Sequence, residues 1–415
     1  MSTRVDAFVV VAPGLEPLVL DEVVRLGVRP ARAVRGGVAC TVTWRQVWSL
    51  NLRLRMATRV LVRISAFAAD GPGTLDAGLR RIDWAAWLPA EPVEVRATCD
   101  AASGLFHSGA VEQRVRDSIA RAGGTQLSGT SPSGTQLSGT AASGPAAMDA
   151  ATHDVDAVHA AAARQPQVVH VRVDANRVTV SIDASGRPLY QRGWRGAAGR
   201  APMRETLAAA LLAASGWQPT APLVDPFCGS GTVLIEAAMA ARRLAPGRHR
   251  SFAAEHWPSF DEAAWQRIVV GVDADVIERC PPIAGSDRDE GAVATARDNA
   301  RRAGVAGDVE VRHAAISDAL PPSGGGRGWL VSNPPYGERV SGGRSLVPLY
   351  GALGGVLRDS FASWHWALLA AQSVPLQATG IEWTEALRTS NGGIPVRVMV
   401  AGPASASAAH GSGTA

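Results

Sequence analysis

The chain has 415 residues, of which 46% are hydrophobic and 19% are charged, a globular composition for about two or three domains. This composition excludes a wholly disordered or fibrous chain and a small fold held together by disulfides. The net charge is only +4, but all 41 basic residues are arginine, a bias typical of GC-rich coding, so the places where arginines cluster are more informative than their number.

Neither a membrane segment nor a metal site is expected. The longest uncharged apolar run, Leu207 to Ala214, is much shorter than the roughly 20 residues of a bilayer span. No basic and apolar leader precedes Phe8. The four cysteines have no C-x-x-C spacing, which predicts reduced structural thiols rather than a zinc site or a disulfide framework. The sequence therefore predicts a cytoplasmic protein.

The first 65 residues alternate short strands and helices. The predicted strands are Phe8–Val11, Gly36–Val42 and Arg59–Phe67, and the predicted helices are Leu15–Leu26 and Trp44–Leu54. This β-α-β-α-β order predicts a small α+β domain of ferredoxin-like type over residues 1–65. Residues 1–63 hold ten arginines against four acidic residues, which makes this domain basic.

A second domain is expected over residues 66–186. Its predicted elements are a helix at Thr74–Ala86, a strand at Val93–Thr98, a helix at Ser108–Ala122 and two strands at Val168–Val173 and Arg177–Ile182. Residues 122–148 contain no charge and repeat the sequence GTQLSGT. Such Gly/Ser/Thr-rich repetition cannot bury enough apolar surface to fold alone, so a flexible insertion is predicted at 122–165.

Residues 187–204 form a basic linker that combines five arginines with two aromatic residues and three glycines, and contains no acidic residue. Guanidinium groups beside aromatic rings are typical of a nucleic-acid contact segment, with Arg192, Trp194, Arg195 and Arg200 as candidate residues. An ordinary interdomain linker with a buried tryptophan explains the pattern equally well, and both interpretations stay open.

Residues 205–401 alternate helices and strands in the order expected of one α/β domain. The predicted elements are a helix from Glu205, a strand at Leu223–Val224, a helix at Val233–Arg243, a strand at Ile283–Ser286, a helix at Ala292–Ala303, strands at Asp308–Arg312 and Trp329–Ser332, a helix at Val347–Asp359, a strand at Trp366–Ala371 and a β pair before Ala401. This alternation predicts a mostly parallel, doubly wound sheet of the Rossmann-like class. Residues 402–415 are expected to be a disordered tail.

A Gly-x-Gly turn lies between a short strand and a helix, in the segment DPFCGSGT at residues 225–232. Glycines at a strand-to-helix turn let the backbone approach a ligand closely at the carboxyl end of a sheet. Leu234 occupies the position of the third glycine in the dinucleotide motif, which argues against NAD and favours another adenosine cofactor.

A carboxylate at the end of the next strand can accept hydrogen bonds from both ribose hydroxyls. Asp273 and Asp287 are the two candidates, and Asp287 is preferred because a helix follows it and stops at Gly304. Asp273 precedes a proline-interrupted stretch and is assigned to an insertion. Asp318 can accept a hydrogen bond from an adenine amine, with an exposed loop aspartate as the alternative interpretation.

The most specific motif is Asn333-Pro334-Pro335-Tyr336, directly after a predicted strand. Two prolines present carbonyls and no N–H groups on an extended backbone. The Asn333 side-chain oxygen and the Pro334 carbonyl can then accept both protons of one exocyclic amine, which favours the pyramidal nitrogen that attacks an electrophilic methyl group. Tyr336 would stack on a base that has been flipped out of its helix.

These motifs resemble those of the class I S-adenosylmethionine-dependent methyltransferases that modify exocyclic amines. DPFCGSGTVLIEAA, SDRDEGAVATARDNARRAG and LVSNPPYGERV are similar to segments of the THUMP-containing RNA guanine-N2 methyltransferases, above all of the bacterial enzymes that act on 23S ribosomal RNA. ATCDAASGLFHSGAVEQRVRDSI resembles their THUMP segment. The resemblance implies a THUMP RNA-binding domain at 66–186, a methyltransferase domain at 205–401, S-adenosylmethionine as cofactor, and RNA as partner, ribosomal in preference to transfer RNA.

The resemblance also implies roles for individual residues. The catalytic residues that would hold the guanine are Asn333, Pro334, Pro335 and Tyr336. The residues expected to contact the cofactor are Thr206, Asp225, Pro226, Phe227, Cys228, Gly229, Gly231, Thr232, Asp287, Arg288, Asp318 and Asn333. The residues expected to contact RNA are Arg114, Arg192, Trp194, Arg195 and Arg200. No metal is expected in the reaction.

Alternatives from other classes remain. The N-P-P-Y motif also serves enzymes that methylate DNA bases or a protein glutamine amide, and the basic N-terminal domains favour RNA over both. A noncatalytic RNA-binding protein and a dehydrogenase are the other two alternatives, and the missing third glycine argues against the dehydrogenase.

Overall fold

The computed structural model describes residues 4–89, 92–123, 166–196, 203–322, 326–336 and 345–403. These residues divide into two compact units, the first within residues 1–62, 187–250 and 261–415 and the second within 63–186 and 251–260. Most of the predicted insertion at 122–165, most of the predicted tail, and Arg200 lie outside the described residues. None of the helices in the described ranges is long and apolar enough to cross a bilayer.

The N-terminal part of the first unit is an α+β structure. Its elements are β1 (Arg4–Val10), α1 (Glu16–Arg25), β2 (Ala31–Val34), β3 (Gly37–Thr43) and α2 (Trp44–Arg53), followed in the chain by β4 (Arg59–Ala68). The first three strands pair antiparallel in the order β2-β3-β1. Helix α2 begins where the Thr43 hydroxyl accepts a hydrogen bond from the Gln46 N–H at 3.3 Å and the Gln46 side-chain oxygen accepts one from the Thr43 N–H at 2.9 Å.

The sequence did not predict β2. This strand has only four residues, ARAV, and none of them is buried, so it carries no alternating apolar pattern. The other elements of the N-terminal part were predicted within a few residues of their bounds, and the ferredoxin-like α+β class is confirmed.

The described residues of the second unit form one mixed sheet and two helices. Its elements are α3 (Pro72–Leu79), β5 (Val93–Cys99), α4 (Ser108–Arg121), β6 (Gln167–Asp174) and β7 (Arg177–Asp183). Strand β6 pairs parallel with β5 and antiparallel with β7. The predicted helix Thr74–Ala86 is wrong in its second half, because α3 ends at Leu79 and a separate 3-10 turn forms at Trp84–Ala86. This break lets the buried Trp84 indole N–H donate to the Ser118 hydroxyl at 3.1 Å.

The rest of the first unit is the predicted α/β domain. Its elements are α5 (Glu205–Ala214), β8 (Leu223–Asp225), α6 (Thr232–Ala241), α7 (Glu262–Ala274), β9 (Ile283–Asp287), α8 (Glu290–Arg302), β10 (Val309–His313), β11 (Trp329–Ser332), α9 (Val347–Asp359), β12 (His365–Ala371), β13 (Thr384–Asn391) and β14 (Ile394–Ala401). The strands form one sheet in the order β10-β9-β8-β11-β12-β14-β13. Strands β8 to β12 run parallel, and β14 runs antiparallel to both of its neighbours, β12 and β13, which confirms the doubly wound, Rossmann-like class.

Helices α5 and α6 are buried on nearly every side. Their sequences, ETLAAALLAA and TVLIEAAMAA, have almost no polar residue, as expected of helices enclosed in a large core. Strand β12, HWALLAA, is buried along six of its seven residues, which is typical of a central strand covered on both faces. The only carboxylate of α6, Glu236, is therefore enclosed as well.

Helix α7 was not predicted, and it settles the choice between the two candidate aspartates. The Asp261 side chain caps this helix by accepting from the Ala264 N–H at 2.9 Å. Asp273 lies inside α7, whereas Asp287 is the last residue of β9. The preference for Asp287 as the strand-end carboxylate is confirmed.

The topology brings three strand ends together. Strand β8 lies between β9 and β11, so the chain leaves β8 toward one neighbour and later returns on the opposite side. In open parallel sheets, the crevice at the carboxyl ends of such strands is where ligands bind. The Gly-x-Gly turn, Asp287 and the NPPY segment each follow one of these three strands.

Candidate active site

The turn between β8 and α6 uses two glycines for different reasons. Gly229 (φ +52°) and Gly231 (φ +82°) both adopt the left-handed conformation that favours glycine. A Cβ at Gly231 would lie 3.0 Å from the Cβ of Ala296 on α8, so close packing of the two helices also requires glycine there. A Cβ at Gly229 would meet nothing within 4 Å. The turn therefore leaves open space beside the backbone at Gly229, where a ligand can lie.

Asp225 joins the ends of two strands. It is the last residue of β8 and is 1% exposed. Its Oδ1 accepts a hydrogen bond from the Ser332 hydroxyl at 2.5 Å and one from the Phe227 N–H at 3.1 Å. Because Ser332 ends β11, this contact links the glycine turn to the strand before the NPPY segment. Burial raises the pKa of Asp225 to about 7, although both hydrogen bonds act in the opposite direction.

Asp287 contacts the glycine turn from the other side. Its Oδ2 accepts from the Gly229 N–H at 3.0 Å, and its Oδ1 accepts from the Asp289 N–H at 3.0 Å. The side chain is only half-buried, so its remaining lone pairs can accept hydrogen bonds from a ligand. This is the geometry needed by a carboxylate that binds ribose hydroxyls.

Asn333 carries an acceptor without a partner. Its Oδ1 is buried and accepts no hydrogen bond from any residue within the described ranges. Buried side-chain oxygens are nearly always hydrogen-bonded, and this one, at the carboxyl end of β11, is available to accept a hydrogen bond from a ligand. Pro334 next to it is buried and offers a carbonyl but no N–H.

Two residues that the sequence did not single out hold the NPPY loop, which we define as residues 333–336. The Tyr350 hydroxyl on α9 donates to the Pro335 carbonyl at 3.3 Å. The Asn391 side-chain amide donates to the Tyr336 hydroxyl at 2.7 Å. Asn391 begins the Asn-Gly-Gly turn between β13 and β14, a typical hairpin sequence, but nothing in that sequence indicates that it contacts Tyr336.

Arg195 supports the glycine turn instead of facing RNA. It donates to Glu205 at 2.8 Å, to the Ser230 hydroxyl at 3.0 Å and to the Thr232 hydroxyl at 2.9 Å, and it also donates to the Met203 carbonyl. Four of the five guanidinium donors are thereby used. The expectation that Arg195 contacts RNA is corrected, because its donors are already satisfied by the protein.

Arg192 and Trp194 are also corrected, since both are 1% exposed. Arg192 donates to Glu236 at 3.1 Å, to the Leu189 carbonyl at 2.9 Å and to the Arg55 carbonyl at 2.5 Å. Trp194 packs in the core of the α/β domain. A buried carboxylate needs a cation to compensate its charge, and Glu236 in the otherwise apolar helix α6 is the sequence feature that could have predicted this pairing.

The other proposed site residues lie in various surroundings. Pro226, Cys228 and Thr232 are buried in the turn, Phe227 is half-buried there, and Thr206 is buried in the first turn of α5. Arg288 and Asp318 are exposed, and Asp318 ends a 3-10 turn after β10. Arg114 forms an ion pair with Asp76 at 2.7 Å and keeps 38% of its side chain exposed. Arg200 lies outside the described residues.

Burial raises the pKa of the Cys228 thiol, which makes it a poor nucleophile.

The residues at this edge fit an adenosine cofactor. The open side of Gly229 admits a ligand against the backbone, and the half-buried Asp287 carboxylate lies directly beside that position. The unpartnered Asn333 oxygen follows the neighbouring strand, which Asp225 joins to the same turn. A cofactor and an amine acceptor site are thus adjacent. This combination defines the class I methyltransferases, in which S-adenosylmethionine is the cofactor.

Comparison with known proteins gives the family. The chain belongs to the RMKL-like methyltransferases, since the family model of that methyltransferase domain matches residues 192–398. The model of the RlmL ferredoxin-like domain matches residues 6–61. A curated relative, the ribosomal RNA large subunit methyltransferase K/L of Methylococcus capsulatus, is 32% identical over 373 residues. The match covers 88% of this chain but 46% of the relative, so the chain spans about half of that relative's length.

Solved structures agree with this family. The methyltransferase SMU.472, solved with S-adenosylhomocysteine, is 25% identical with a TM-score of 0.80, and the match covers 97% of this chain and 99% of that one. A predicted N6-adenine-specific DNA methylase from Listeria monocytogenes is 26% identical with a TM-score of 0.80, covering 97% of both chains. TrmN from Thermus thermophilus shares the fold at 21% identity and a TM-score of 0.64, covering 96% of this chain and 99% of that one.

The perturbed carboxyl at Asp225 predicts a pH-dependent stability. An aspartate in an unfolded chain has a pKa of about 3.9, and the folded value of about 7 is higher. The folded protein therefore binds the proton more tightly, so this group's contribution to stability falls as the pH rises from about 4 to 7 and stays low above that. Asp225→Asn has no carboxyl to ionise, so this variant does not lose that contribution to stability as the pH rises. We expect its melting temperature to exceed that of the wild type by several degrees near pH 8, and by progressively less toward pH 4.

Thermal melts at a series of pH values test this expectation. Asp318→Asn, an exposed substitution in the same unit, is the matched control and should melt like the wild type throughout. A difference between Asp225→Asn and wild type that is equal at every pH would contradict a raised pKa at Asp225.

Because Arg192 is buried, its replacement should lower the stability of the protein without removing a contact to RNA phosphates. Arg192→Met leaves Glu236 enclosed without its nearest cation, which should cost about 3–5 kcal/mol. At a temperature where the variant is still folded, the dependence of RNA binding on salt should equal that of the wild type. Thermal melts and RNA titrations over a range of salt concentrations measure the two effects. A stable variant with a shallower salt dependence would return Arg192 to the RNA-contact interpretation.

Proposed function

We propose that this domain transfers a methyl group from S-adenosylmethionine to the exocyclic N2 amine of a guanine, in 23S ribosomal RNA. The observation that carries the proposal is the buried, unpartnered Asn333 oxygen at the crevice edge. An acceptor held in this way fits an N–H group of the substrate, and the Pro334 carbonyl beside it fits the second N–H of the same amine.

The arrangement addresses a specific chemical difficulty. The lone pair of an aryl amine is delocalised into its ring, which makes the nitrogen a poor nucleophile. S-adenosylmethionine, when bound, supplies an electrophilic methyl group on a sulfonium. Asn333 and Pro334 would accept both amine protons and favour the pyramidal nitrogen of the transition state, so they stabilise it more than the ground state. The proton becomes acidic once the nitrogen is alkylated and can leave afterwards, so no strong general base is required.

Hydrogen bonds to the NPPY loop support the same proposal. The Tyr350 hydroxyl donates to the Pro335 carbonyl and the Asn391 amide donates to the Tyr336 hydroxyl, so the second half of the loop is held from two sides. A fixed Tyr336 ring can stack on a flipped base, since a base inside a helix cannot reach the crevice.

RNA is the substrate class that the available observations favour. The relative from Methylococcus capsulatus is named for the RNA of the large ribosomal subunit. The basic N-terminal domain and the THUMP-like segment within residues 66–186 agree with an RNA substrate in the cytoplasm. Transfer RNA is the alternative within the same chemistry. DNA is a second candidate, because the neighbour from Listeria monocytogenes is named an adenine-specific DNA methylase and adenine N6 is an exocyclic amine too.

One experiment separates these substrates. The purified full chain is incubated with methyl-labelled S-adenosylmethionine and, in parallel, with unmodified transcripts of 23S ribosomal RNA, with transfer RNA and with unmethylated DNA. Nucleosides from each reaction are then identified by mass spectrometry. We expect N2-methylguanosine in the 23S transcript. Label found only in transfer RNA would show that transfer RNA, and not 23S ribosomal RNA, is the substrate. N6-methyladenine in DNA would refute the guanine-N2 assignment.

The role of Asn333 gives a further prediction. Asn333→Ala should lower kcat by at least about 100-fold, because one of the two acceptors for the amine is lost. The affinity for S-adenosylmethionine, measured by equilibrium binding, should change little. Gln218→Ala, which removes an exposed amide in the same unit, is the matched control. Turnover near the wild-type value in Asn333→Ala would exclude the proposed role.

A further inference from the structure

A cavity of about 430 Å³ lies in the first unit, away from the glycine turn and the NPPY loop. It is formed by the C-terminal ends of α1 and α2, by the segment after α6 and by the end of α7. Its charged lining residues are Arg25, Arg53, Arg55, Arg243, Glu22 and Asp275. Four guanidinium groups thus face two carboxylates.

The two carboxylates do not cancel this positive charge. Glu22 is buried, and its two oxygens already accept from the Arg55 N–H at 2.6 Å and the Met56 N–H at 3.3 Å. Burial raises the pKa of Glu22, although both backbone hydrogen bonds act against this shift. Asp275 is exposed at the end of α7, where water screens it.

Three of the four arginines have free guanidinium groups. Across the described ranges, Arg25, Arg53 and Arg243 make no side-chain hydrogen bond or ion pair. Arg242, the neighbour of Arg243, instead donates to Asp308 at 2.9 Å and to the Ile277 carbonyl at 2.7 Å. Arg25 and Arg243 are exposed and Arg53 is half-buried, so the donors of these three arginines are available to a ligand in the cavity.

Compensation of helix dipoles accounts for the positions of Arg25 and Arg53 but not for that of Arg243. Arg25 and Arg53 lie in the last turns of α1 and α2, where a cation is favourable. The end of α6 is already capped, since Arg55 donates to the carbonyls of Met239 at 3.1 Å and Leu244 at 2.6 Å. The other Arg55 terminal nitrogen, Nη1, has no hydrogen-bond acceptor within the described chain and lies 3.8 Å from Glu236.

The backbone at Arg243 points to the same conclusion. Its φ of +56° is left-handed, and the residue directly after a helix in this conformation is usually glycine. A long, charged side chain is disfavoured there on conformational grounds. Arg243 thus has a backbone conformation that glycine would adopt more easily, and its side chain lines the cavity.

We propose that this cavity binds phosphate groups, supplied by the backbone of the RNA substrate. Guanidinium groups match the geometry of phosphate oxygens and can bind them in pairs of parallel hydrogen bonds. A water occupies about 30 Å³ of liquid, so the volume accommodates a phosphate with several waters. The assignment to RNA rests on the proposed function, whereas a free phosphate compound would use the same chemistry.

The test combines three substitutions, Arg25→Gln, Arg53→Gln and Arg243→Gly, in the full chain. Glycine at 243 fits the left-handed backbone, so this change removes a cation without a folding defect. Arg301→Gln is the matched control, because Arg301 is exposed in the same unit and pairs with Asp298. Three measurements are made on each protein: thermal melts in inorganic phosphate against chloride at equal ionic strength, binding of a 23S transcript over a range of salt concentrations, and S-adenosylmethionine affinity.

We expect inorganic phosphate to raise the melting temperature of the wild type and of Arg301→Gln by about 2 °C, and not that of the triple variant. RNA affinity of the triple variant should fall at least about 10-fold. The slope of log K against log salt should become shallower by about 2 to 3, as expected for three lost phosphate contacts. The affinity for S-adenosylmethionine should stay the same.

Equal stabilisation of the wild type and the triple variant by phosphate would overturn the phosphate site. Loss of phosphate stabilisation with unchanged RNA binding would retain the site and refute RNA as its source, in favour of a free phosphate compound. Absence of methyl transfer by the wild type to any RNA would refute the proposed function alone, because the phosphate measurement does not depend on methyl transfer.

Discussion

The active site depends on one hydrogen bond, from the Ser332 hydroxyl to the Asp225 carboxyl. It joins the ends of adjacent parallel strands and so fixes the distance between the glycine turn and the NPPY loop. Methyl transfer needs both reactants in line within a few tenths of an ångström, and a rigid contact between two strands provides this better than a contact between loops. The contact is buried, which strengthens it and also raises the pKa of Asp225.

The arginines of this chain fall into two groups that composition cannot separate. Arg192 and Arg195 donate hydrogen bonds to carboxylates, hydroxyls and carbonyls inside the protein, and so stabilise the core and the glycine turn. Arg25, Arg53 and Arg243 line a cavity, and no residue in the described part of the chain accepts a hydrogen bond from their side chains. A guanidinium can bind a ligand only with donors that the fold has left unsatisfied, so the hydrogen-bond partners of each arginine indicate its function better than its position in a basic segment.

The turns and motifs that were predicted from the sequence are set by neighbouring residues. The contacts that were missed join residues far apart in the chain. Strand-to-helix turns, Asp287 at a strand end and the NPPY segment follow from neighbouring residues, and the topology then brings them together. The bonds of Asp225 to Ser332 and of Asn391 to Tyr336 join residues 107 and 55 positions apart, and no local pattern indicates them. The basic linker was ambiguous for the same reason, because the partner of Arg192 lies 44 positions away in α6.

The absence of lysine from the sequence does not by itself explain the arginine at position 195. At exposed positions either cation would serve, so the absence of lysine there is consistent with the coding bias that the composition indicates. Arg195 differs, because its donors diverge in one plane toward Glu205, Ser230 and Thr232. An ammonium carries its three protons on a single atom and cannot span these acceptors. A lysine could therefore replace most exposed arginines without loss of a contact, whereas at position 195 it would leave part of the glycine turn without a donor.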